Sequence, residues 1–144
     1  MPKLLTVIIP CYNEEENIKY FYEEFCKNDA YFLKHAIMYQ LIFVDDGSTD
    51  KTATEIKNLH QKDKRIKLIS FSRNFGKEAA IYAGLEHASG NLVAIMDVDL
   101  QDPPSLLPQM IDEIFAGADQ VVARRTARKG EPPIRSWFAK LFYK

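Results

Sequence analysis

Two aspartates separated by one residue are the most informative chemical feature of this sequence. Asp97-Val98-Asp99 follows the apolar run Leu92–Met96, which predicts a buried strand. Carboxylates just past a strand offer hard oxygen ligands to Mg²⁺ or Mn²⁺ and leave coordination positions for substrate phosphates. An Asp-x-Asp pair also suits turn formation after a strand, so both interpretations stand at this point.

A second acidic pair, Asp45-Asp46, follows the apolar run Tyr39–Val44. We expect its strand to neighbour the Asp97 strand, where an unpaired acidic pocket is costly without a cation or a hydrogen-bonding ligand. This expectation favours the cation interpretation. Ser48 to Asp50 are predicted to cap the next helix, whereas Asp45 is placed to accept hydrogen bonds from a base or a ribose.

Groups suited to a nucleotide follow two further strands. Tyr12 could stack on a base or pack in the core. Arg73 and Lys77 could neutralise a diphosphate, although Lys77 is equally compatible with a solvated loop charge. Gly76, just before a helix, suits close approach of the backbone to an anion.

Other chemistries have no matching motif in the sequence. There is no Gly-x-Gly-x-x-Gly after the first strand, no glycine-rich loop ending in Gly-Lys-Ser/Thr, and no Gly-x-Ser-x-Gly. His35, His60 and His87 have no partner within a helical turn, which favours surface or core histidines over metal ligands or bases. Cys11 and Cys26 lack metal-ligand spacing and are predicted to be free thiols.

The elements that must position these groups alternate between strand and helix. Continuous apolar runs predict strands, and apolar residues three or four apart predict amphipathic helices. This alternation predicts an α/β fold, with a mostly parallel sheet, helices on both faces and ligands at the carboxyl ends of the strands. Strands are predicted at Leu4–Pro10, Tyr39–Val44, Ile66–Phe71, Leu92–Met96 and Gln120–Ala123. Helices are predicted from Asn13 through Phe25, with Glu14 to Glu16 in the first turn, and over Ala53–Leu59, Lys77–Ala88 and Leu106–Phe115.

The 144 residues have the composition of one globular domain, with 47% hydrophobic and 27% charged residues. The net charge of −1 argues against a nucleic-acid partner. The charge is unevenly distributed along the chain. Residues 1–120 hold 12 basic and 19 acidic side chains, whereas residues 121–144 hold seven basic and one acidic. No signal peptide and no apolar run of roughly 18 residues is present, which predicts a cytoplasmic chain that does not span a membrane.

Four segments resemble the family 2 inverting glycosyltransferases. They are VIIPCYNEEENI at 7–18, VDDGSTDKT at 44–52, SRNFGKEAAIYAGLEHASG at 72–90 and DVDLQDPP at 97–104. They are most similar to the polyprenyl-phosphate branch, which includes dolichol-phosphate mannose synthases and bactoprenol glucosyltransferases. The resemblance covers nearly the whole chain and implies a GT-A fold, with a Rossmann-like nucleotide-binding half and a nucleotide-sugar donor.

The resemblance also implies which residues form the site. The residues that it implies bind the nucleotide are Pro10, Tyr12, Asn13, Glu14, Asp45, Arg73, Lys77, Asp97 and Val98. Asp97, Asp99 and Gln101 match the signature that binds Mg²⁺ or Mn²⁺, and Arg125 matches an arginine that helps to hold the acceptor phosphate. No catalytic residue is assigned, because the acceptor-side base is expected beyond Lys144.

These features predict a glycosyltransferase that moves a sugar, with UDP-sugars preferred, to a polyprenyl phosphate with inversion. We expect residues 1–125 to form the donor-binding core and residues 126–144 a basic loop and the start of an amphipathic helix. That helix is predicted to lie on an anionic membrane surface, with packing on the core as the alternative. The acceptor-side and transmembrane parts are expected outside this chain, so that alone it binds donor but transfers poorly.

Other functional readings stay open. One is a family 2 transferase with a saccharide acceptor, and another is a non-catalytic module that binds nucleotide sugars. The expected location is the cytoplasmic face of a membrane, and a homo-oligomer is compatible with the sequence.

Overall fold

The computed structural model describes residues 2–124 of the chain. In this part the strands are β1 (Lys3–Cys11), β2 (Ile37–Asp45), β3 (Ile66–Ser70) and β4 (Leu92–Ile95). The α-helices are α1 (Ile18–Cys26), α2 (Asp29–Lys34), α3 (Thr52–Lys62), α4 (Lys77–His87) and α5 (Leu107–Phe115), with a 3₁₀ turn at Pro104–Leu106.

The four strands form one parallel sheet in the order β3-β2-β1-β4. Val7 in β1 pairs with Leu41 of β2 on one side and with Ala94 of β4 on the other. The chain therefore moves outward from β1 to β2 and β3, and then crosses back to place β4 on the far side of β1. The reversal puts a topological switch point between β1 and β4, where open α/β sheets bind ligands.

The two faces of the sheet are covered by different helices. Alternate residues of β1 and β2 pack with α1, α2, α3 and α5 in one buried cluster. On the opposite face, Ile8 and Ile42 pack against Ala80 of α4. A Cβ on Gly84 would lie 2.4 Å from Ile8 Cγ2, so α4 approaches β1 closely because this position has no side chain. The predicted parallel sheet with helices on both faces is confirmed.

The predicted strand at Gln120–Ala123 is wrong. Residues 121–124 adopt no regular structure, and Val122 is 74% exposed. A strand is stabilised by pairing and by burial of one face, and this segment pairs with none of the described strands.

The region between β1 and β2 also differs from the prediction. α1 begins at Ile18 rather than Asn13, and its first turn holds no acidic residue. The backbone N–H groups of Asn13 and Glu14 instead donate to Ser48 Oγ and Thr52 Oγ1, both at 2.9 Å, which holds this segment as a loop. The six-residue helix α2 was not predicted, because Phe32 is its one buried residue and leaves no apolar period to detect.

The predicted basic loop and amphipathic segment at 126–144 lie outside the described residues, as does Arg125. Within residues 2–124, no helix has the length and apolar character needed to cross a bilayer.

Candidate nucleotide and metal site

A crevice of about 230 Å³ opens at the switch point, at the carboxyl ends of β1 and β4. It collects side chains from four separate loops or strand ends, and most of the residues predicted to bind a nucleotide are among them. The lining residues are Pro10, Cys11, Tyr12, Glu14, Asp46, Lys77, Asp97, Val98 and Asp99. The parallel sheet thus brings together residues up to 89 positions apart.

The end of β1 forms one wall. Tyr12 is 47% exposed, which fits stacking on a base better than packing in the core. Cys11 beneath it is 3% exposed, and its Sγ donates to the Ile9 carbonyl at 3.3 Å. Burial raises the pKa of the Cys11 thiol well above its usual value, and the negative charges of Asp45 and Glu14 raise it further. Cys11 therefore stays protonated and shapes the wall without acting as a nucleophile.

The end of β4 forms the facing wall. Asp97 Oδ1 accepts a hydrogen bond from Lys77 Nζ at 2.5 Å, so this lysine is tied to the crevice rather than merely solvated. Asp99 is exposed, and its Oδ1 accepts the N–H of Gln101 at 3.1 Å, so the turn-forming role of the motif is also present. Val98 between them is 2% exposed and anchors the motif in the core.

The two β4 carboxylates suit a divalent metal ion that is shared with a ligand. Among residues 2–124, no group of three or more His, Cys, Asp or Glu side chains is placed to hold an ion by itself. Mg²⁺ is usually bound through one or two carboxylates together with waters and substrate phosphates, which matches this pair. Asp97 already binds a cationic group, the Lys77 ammonium. Gln101 is exposed and does not line the crevice, so its role as a ligand stays a prediction.

The expectation that the two acidic pairs lie on neighbouring strands is wrong, because β1 separates β2 from β4. Asp46 is 4% exposed, and its two carboxylate oxygens accept the N–H groups of Phe75 at 2.7 Å and Gly76 at 3.1 Å. The Gly76 N–H therefore binds the chain's own carboxylate rather than a ligand anion, contrary to the sequence-based expectation. Asp46 was missed as a site residue, because its partners lie 29 and 30 positions along the chain and no local pattern reveals them.

Three of the predicted nucleotide-binding residues do not line the crevice. Asp45 is 3% exposed and accepts hydrogen bonds from the Ser48 N–H at 3.1 Å and the Ser70 hydroxyl at 3.4 Å. Asn13, with φ +51°, accepts the Thr49 N–H at 2.8 Å and so links the loops that follow β1 and β2. Their contacts with a nucleotide stay predictions.

Arg73 is the third of these residues. Its guanidinium lies over the Phe75 ring, 3.9 Å from the centroid, and it donates to the Asn74 carbonyl at 3.3 Å. Its backbone packs against Gly47, where φ is +69° and an added Cβ would lie 2.2 Å from the Arg73 carbonyl carbon. This contact and the Asp46 hydrogen bonds lock the loops after β2 and β3 together.

A sequence model of glycosyl transferase family 2 matches residues 6–143. The chain belongs to this family. The family resemblance stated from the four motifs is thereby confirmed.

Relatives in the family are similar over nearly all of the chain. The chain is 46% identical to the Bacillus subtilis protein CsbB over 141 residues. The matched region covers 98% of this chain and 42% of CsbB. The chain is also 41% identical over 143 residues to the bactoprenol glucosyl transferase of Shigella phage SfV, which covers 97% of this chain and 45% of the relative. The chain thus spans less than half the length of these glycosyltransferases.

Solved glycosyltransferase structures share the fold. The mannosyltransferase PcManGT from Pyrobaculum calidifontis, in complex with GDP-Man and Mn²⁺, superimposes with a TM-score of 0.68 at 25% identity, over 86% of this chain and 36% of its own. Mannosyl-3-phosphoglycerate synthase from Rubrobacter xylanophilus gives a TM-score of 0.66 at 18% identity, over 98% of this chain and 48% of its own. The predicted GT-A fold is confirmed.

Proposed function

We propose that this chain binds the donor for a glycosyltransferase that moves a sugar from a nucleoside diphosphate to a polyprenyl phosphate. The observation that carries the proposal is the crevice in which Asp97, Asp99 and Lys77 face the exposed Tyr12 ring. The relative named bactoprenol glucosyl transferase supports a lipid acceptor. The neighbour bound to GDP-Man and Mn²⁺ supports a nucleotide-sugar donor and a divalent ion.

The charges of the crevice explain why a metal ion would accompany the donor. Four carboxylates line it, from Glu14, Asp46, Asp97 and Asp99, and Lys77 is the one basic side chain in that lining. A diphosphate alone would meet net negative charge, and like charges in a partly desolvated crevice repel. Mg²⁺ or Mn²⁺, held by Asp97 and Asp99, would supply neutralisation of the negative charge on the leaving diphosphate.

The protein groups have separable tasks in this scheme. Tyr12 would stack on the base and limit where the nucleoside lies, while Lys77 would bind a diphosphate oxygen. Because Val98 and Pro10 are buried and fixed, the carboxylates at 97 and 99 keep their position as the donor binds. The sugar would then project from the diphosphate with its anomeric carbon open to attack from the opposite side, which gives inversion. We prefer UDP over GDP on the branch resemblance.

A lipid phosphate acceptor reduces the need for a general base. Its oxygen is ionised near pH 7, since a phosphate monoester has its second pKa near about 6. The seven basic side chains in residues 121–144, Arg125 among them, are suited by charge to a phosphate and to an anionic membrane surface. Each such surface contact contributes about 1 kcal/mol.

The donor assignment can be tested by thermal unfolding with UDP, GDP and CDP, each with and without Mn²⁺. A ligand that binds the folded chain raises its unfolding temperature by mass action. We expect UDP to raise it only when Mn²⁺ is present, and we expect Asp99→Asn to abolish that increase. If none of the nucleotides gives a metal-dependent increase, the proposed function is contradicted.

The acceptor assignment has a separate test in vesicle flotation. We expect the chain to float with vesicles of anionic phosphatidylglycerol and not with neutral phosphatidylcholine. Replacing Arg124, Arg125, Arg128, Lys129 and Arg135 with Gln should abolish flotation. Equal recovery with both vesicle types, or none with either, would contradict the lipid acceptor and favour a saccharide acceptor.

A further inference from the structure

The contact between Lys77 and Asp97 joins two groups that the proposed function uses separately. Asp97 lies just past β4 and is a proposed metal ligand, whereas Lys77 is the first residue of α4 and a proposed diphosphate ligand. In the structure they bind each other, with Nζ 2.5 Å from Oδ1. Lys77 therefore occupies a carboxylate that the metal ion would use, and Asp97 occupies an ammonium that the diphosphate would use.

We propose that Lys77 is an internal counterion, which the divalent ion displaces from Asp97 and which then binds the diphosphate. This inference rests on the proposed function of the same site. It assigns the chain a built-in coupling between its two ligands: the metal ion frees the ammonium that the diphosphate needs, and the diphosphate removes the ammonium that blocks the metal ion.

In the arrangement that the structure shows, a metal ion and the Lys77 ammonium would compete for Asp97. A metal ion bound to a carboxylate oxygen lies about 2.0–2.1 Å from it, and the ammonium already lies in contact with that carboxylate. A divalent and a monovalent cation would then be neighbours and repel strongly. Either the ammonium leaves Asp97 or the metal ion binds weakly.

The loop that carries Lys77 is fixed, so the exchange needs only side-chain rotation. The carboxylate of Asp46 holds the N–H groups of Phe75 and Gly76, directly before α4. The next turn of the helix is anchored by Ala80, which is fully buried. The Lys77 side chain is itself 57% exposed, which leaves space for it to move within the crevice that it lines. A rigid base and an exposed side chain suit a two-position counterion.

The exchange predicts a specific pattern of affinities. Lys77 should weaken metal binding to the nucleotide-free chain and strengthen binding of the nucleotide once metal is present. Because linkage is reciprocal, the factor by which Mn²⁺ tightens UDP binding equals the factor by which UDP tightens Mn²⁺ binding. Removing the Lys77 charge should reduce that factor from both directions.

The test measures Mn²⁺ affinity by the electron paramagnetic resonance of free Mn²⁺, with and without UDP, in three variants. Lys77→Met removes the ammonium, Lys77→Arg keeps a positive charge, and Lys64→Met is the matched control at an exposed lysine before β3. We expect Lys77→Met to bind Mn²⁺ about fivefold more tightly without UDP, and its Mn²⁺-dependent UDP affinity to fall about tenfold. Lys77→Arg should restore weak Mn²⁺ binding, and Lys64→Met should match the unaltered chain.

The outcomes separate this inference from the proposed function. If the unaltered chain binds Mn²⁺ with UDP, but Lys77→Met leaves its nucleotide-free Mn²⁺ affinity unchanged or weaker, the counterion role is overturned and the donor site stands. If the unaltered chain binds neither Mn²⁺ nor UDP, the proposed function fails and this inference fails with it. As a direct readout, Mg²⁺ should shift the ¹⁵Nζ resonance of Lys77, and an unshifted resonance at saturating Mg²⁺ would also overturn the exchange.

Discussion

Asp45-Asp46 and Asp97-Val98-Asp99 both follow strands of one parallel sheet, yet the two acidic pairs are in different environments. Asp45 and Asp46 are 3% and 4% exposed and accept hydrogen bonds from groups of the loops around them. Asp97 and Asp99 face an open crevice, and the charged partner of Asp97 is a lysine that is itself more than half exposed.

The difference follows from strand order rather than from residue type. β2 lies between β1 and β3, so the loops after both neighbours close over its carboxyl end. In the described sheet β4 pairs only with β1, and its carboxyl end is left open. Acidic side chains in the covered position hold the scaffold together, whereas those in the open position are available to a ligand.

The largest expected effect is on the locked loops around Asp46. Gly47→Ala should reduce the free energy of unfolding by about 3 kcal/mol, because φ is +69° and the new Cβ would lie 2.2 Å from backbone of Arg73. Urea denaturation measures this change. Gly117→Ala is the matched control, with positive φ but nothing within 4 Å of the added Cβ. A loss no greater than that of the control would show that the loops are not locked.

Neutralising Asp46 and neutralising Asp97 should also have different effects on the free energy of unfolding. Asp46→Asn should cost about 2 kcal/mol, because an amide can accept from one of the two N–H groups but turns its own NH₂ toward the other. Asp97→Asn should change the free energy of unfolding by about 0.5 kcal/mol or less, because solvent screens the half-buried Asp97 and its ion pair with Lys77. Equal losses in urea denaturation would remove the distinction between the pairs.

Neutralising an aspartate of the Asp97-Val98-Asp99 motif should instead affect ligand binding more than stability. Asp99→Asn should weaken Mn²⁺-dependent UDP binding at least about tenfold, or 1.4 kcal/mol, without loss of stability. Titration calorimetry measures the affinity, and removing Mn²⁺ with EDTA should give the unaltered chain the same weak binding. Asp119→Asn, at an exposed aspartate away from the crevice, is the control. Unchanged affinity in Asp99→Asn would exclude this carboxylate from the site.

At the amino edge of the sheet, just before β3, Arg65 and Asp63 form an ion pair that stabilises the fold, unlike the Lys77–Asp97 pair in the crevice. Arg65 donates to both carboxylate oxygens of Asp63, and Tyr22 donates to one of them. The hydrogen bonds from Arg65 lower the pKa of Asp63 from 3.8 to about 2. Since the folded-state pKa lies below the unfolded one, the stabilisation is complete above about pH 4 and is lost as the pH falls through about 2.

Removing this charge should reduce stability less than Gly47→Ala or Asp46→Asn does. Asp63→Asn should cost about 1 kcal/mol at pH 7, since Arg65 is partly exposed and solvent screens the pair. The difference from the unaltered chain should shrink between pH 4 and pH 2 in urea denaturation. A difference that stays constant over that interval would contradict the ion-pair explanation.

Much of the sheet could be predicted from the sequence because its strands are continuous apolar runs, such as the stretch ending at Pro10. Helix α4 could be predicted as well, from Ala80 and its neighbours. Gln120–Ala123 has the residue types of a strand, but pairing depends on a neighbour that the local sequence does not encode. The six residues of α2 bury one side chain, Phe32, so no period reveals them.

The sequence predicted that the candidate site lies at the strand ends, but not which acidic side chains hold the loops together and which are open to a ligand. Residue types made Asp97, Asp99 and Lys77 candidates, because parallel strands bring their carboxyl ends to one edge, and the family resemblance then assigned them to the site. Residue types could not show that both oxygens of Asp46 accept backbone N–H groups, because that depends on β3, and the loop after it, lying beside β2. Strand order is a tertiary property and could be assigned only from the structure.

We expect metal ion and nucleotide to bind at Asp97 and Asp99, and paramagnetic broadening of the amide signals of the ¹⁵N-labelled chain tests this most directly. With substoichiometric Mn²⁺ and excess UDP, the amides of Tyr12, Val98 and Asp99 should broaden first. The amides of the amino edge, such as that of Asp63, should stay sharp. Broadening centred on Glu15 and Asp50, which line a separate acidic hollow, or spread evenly over the chain would contradict the account.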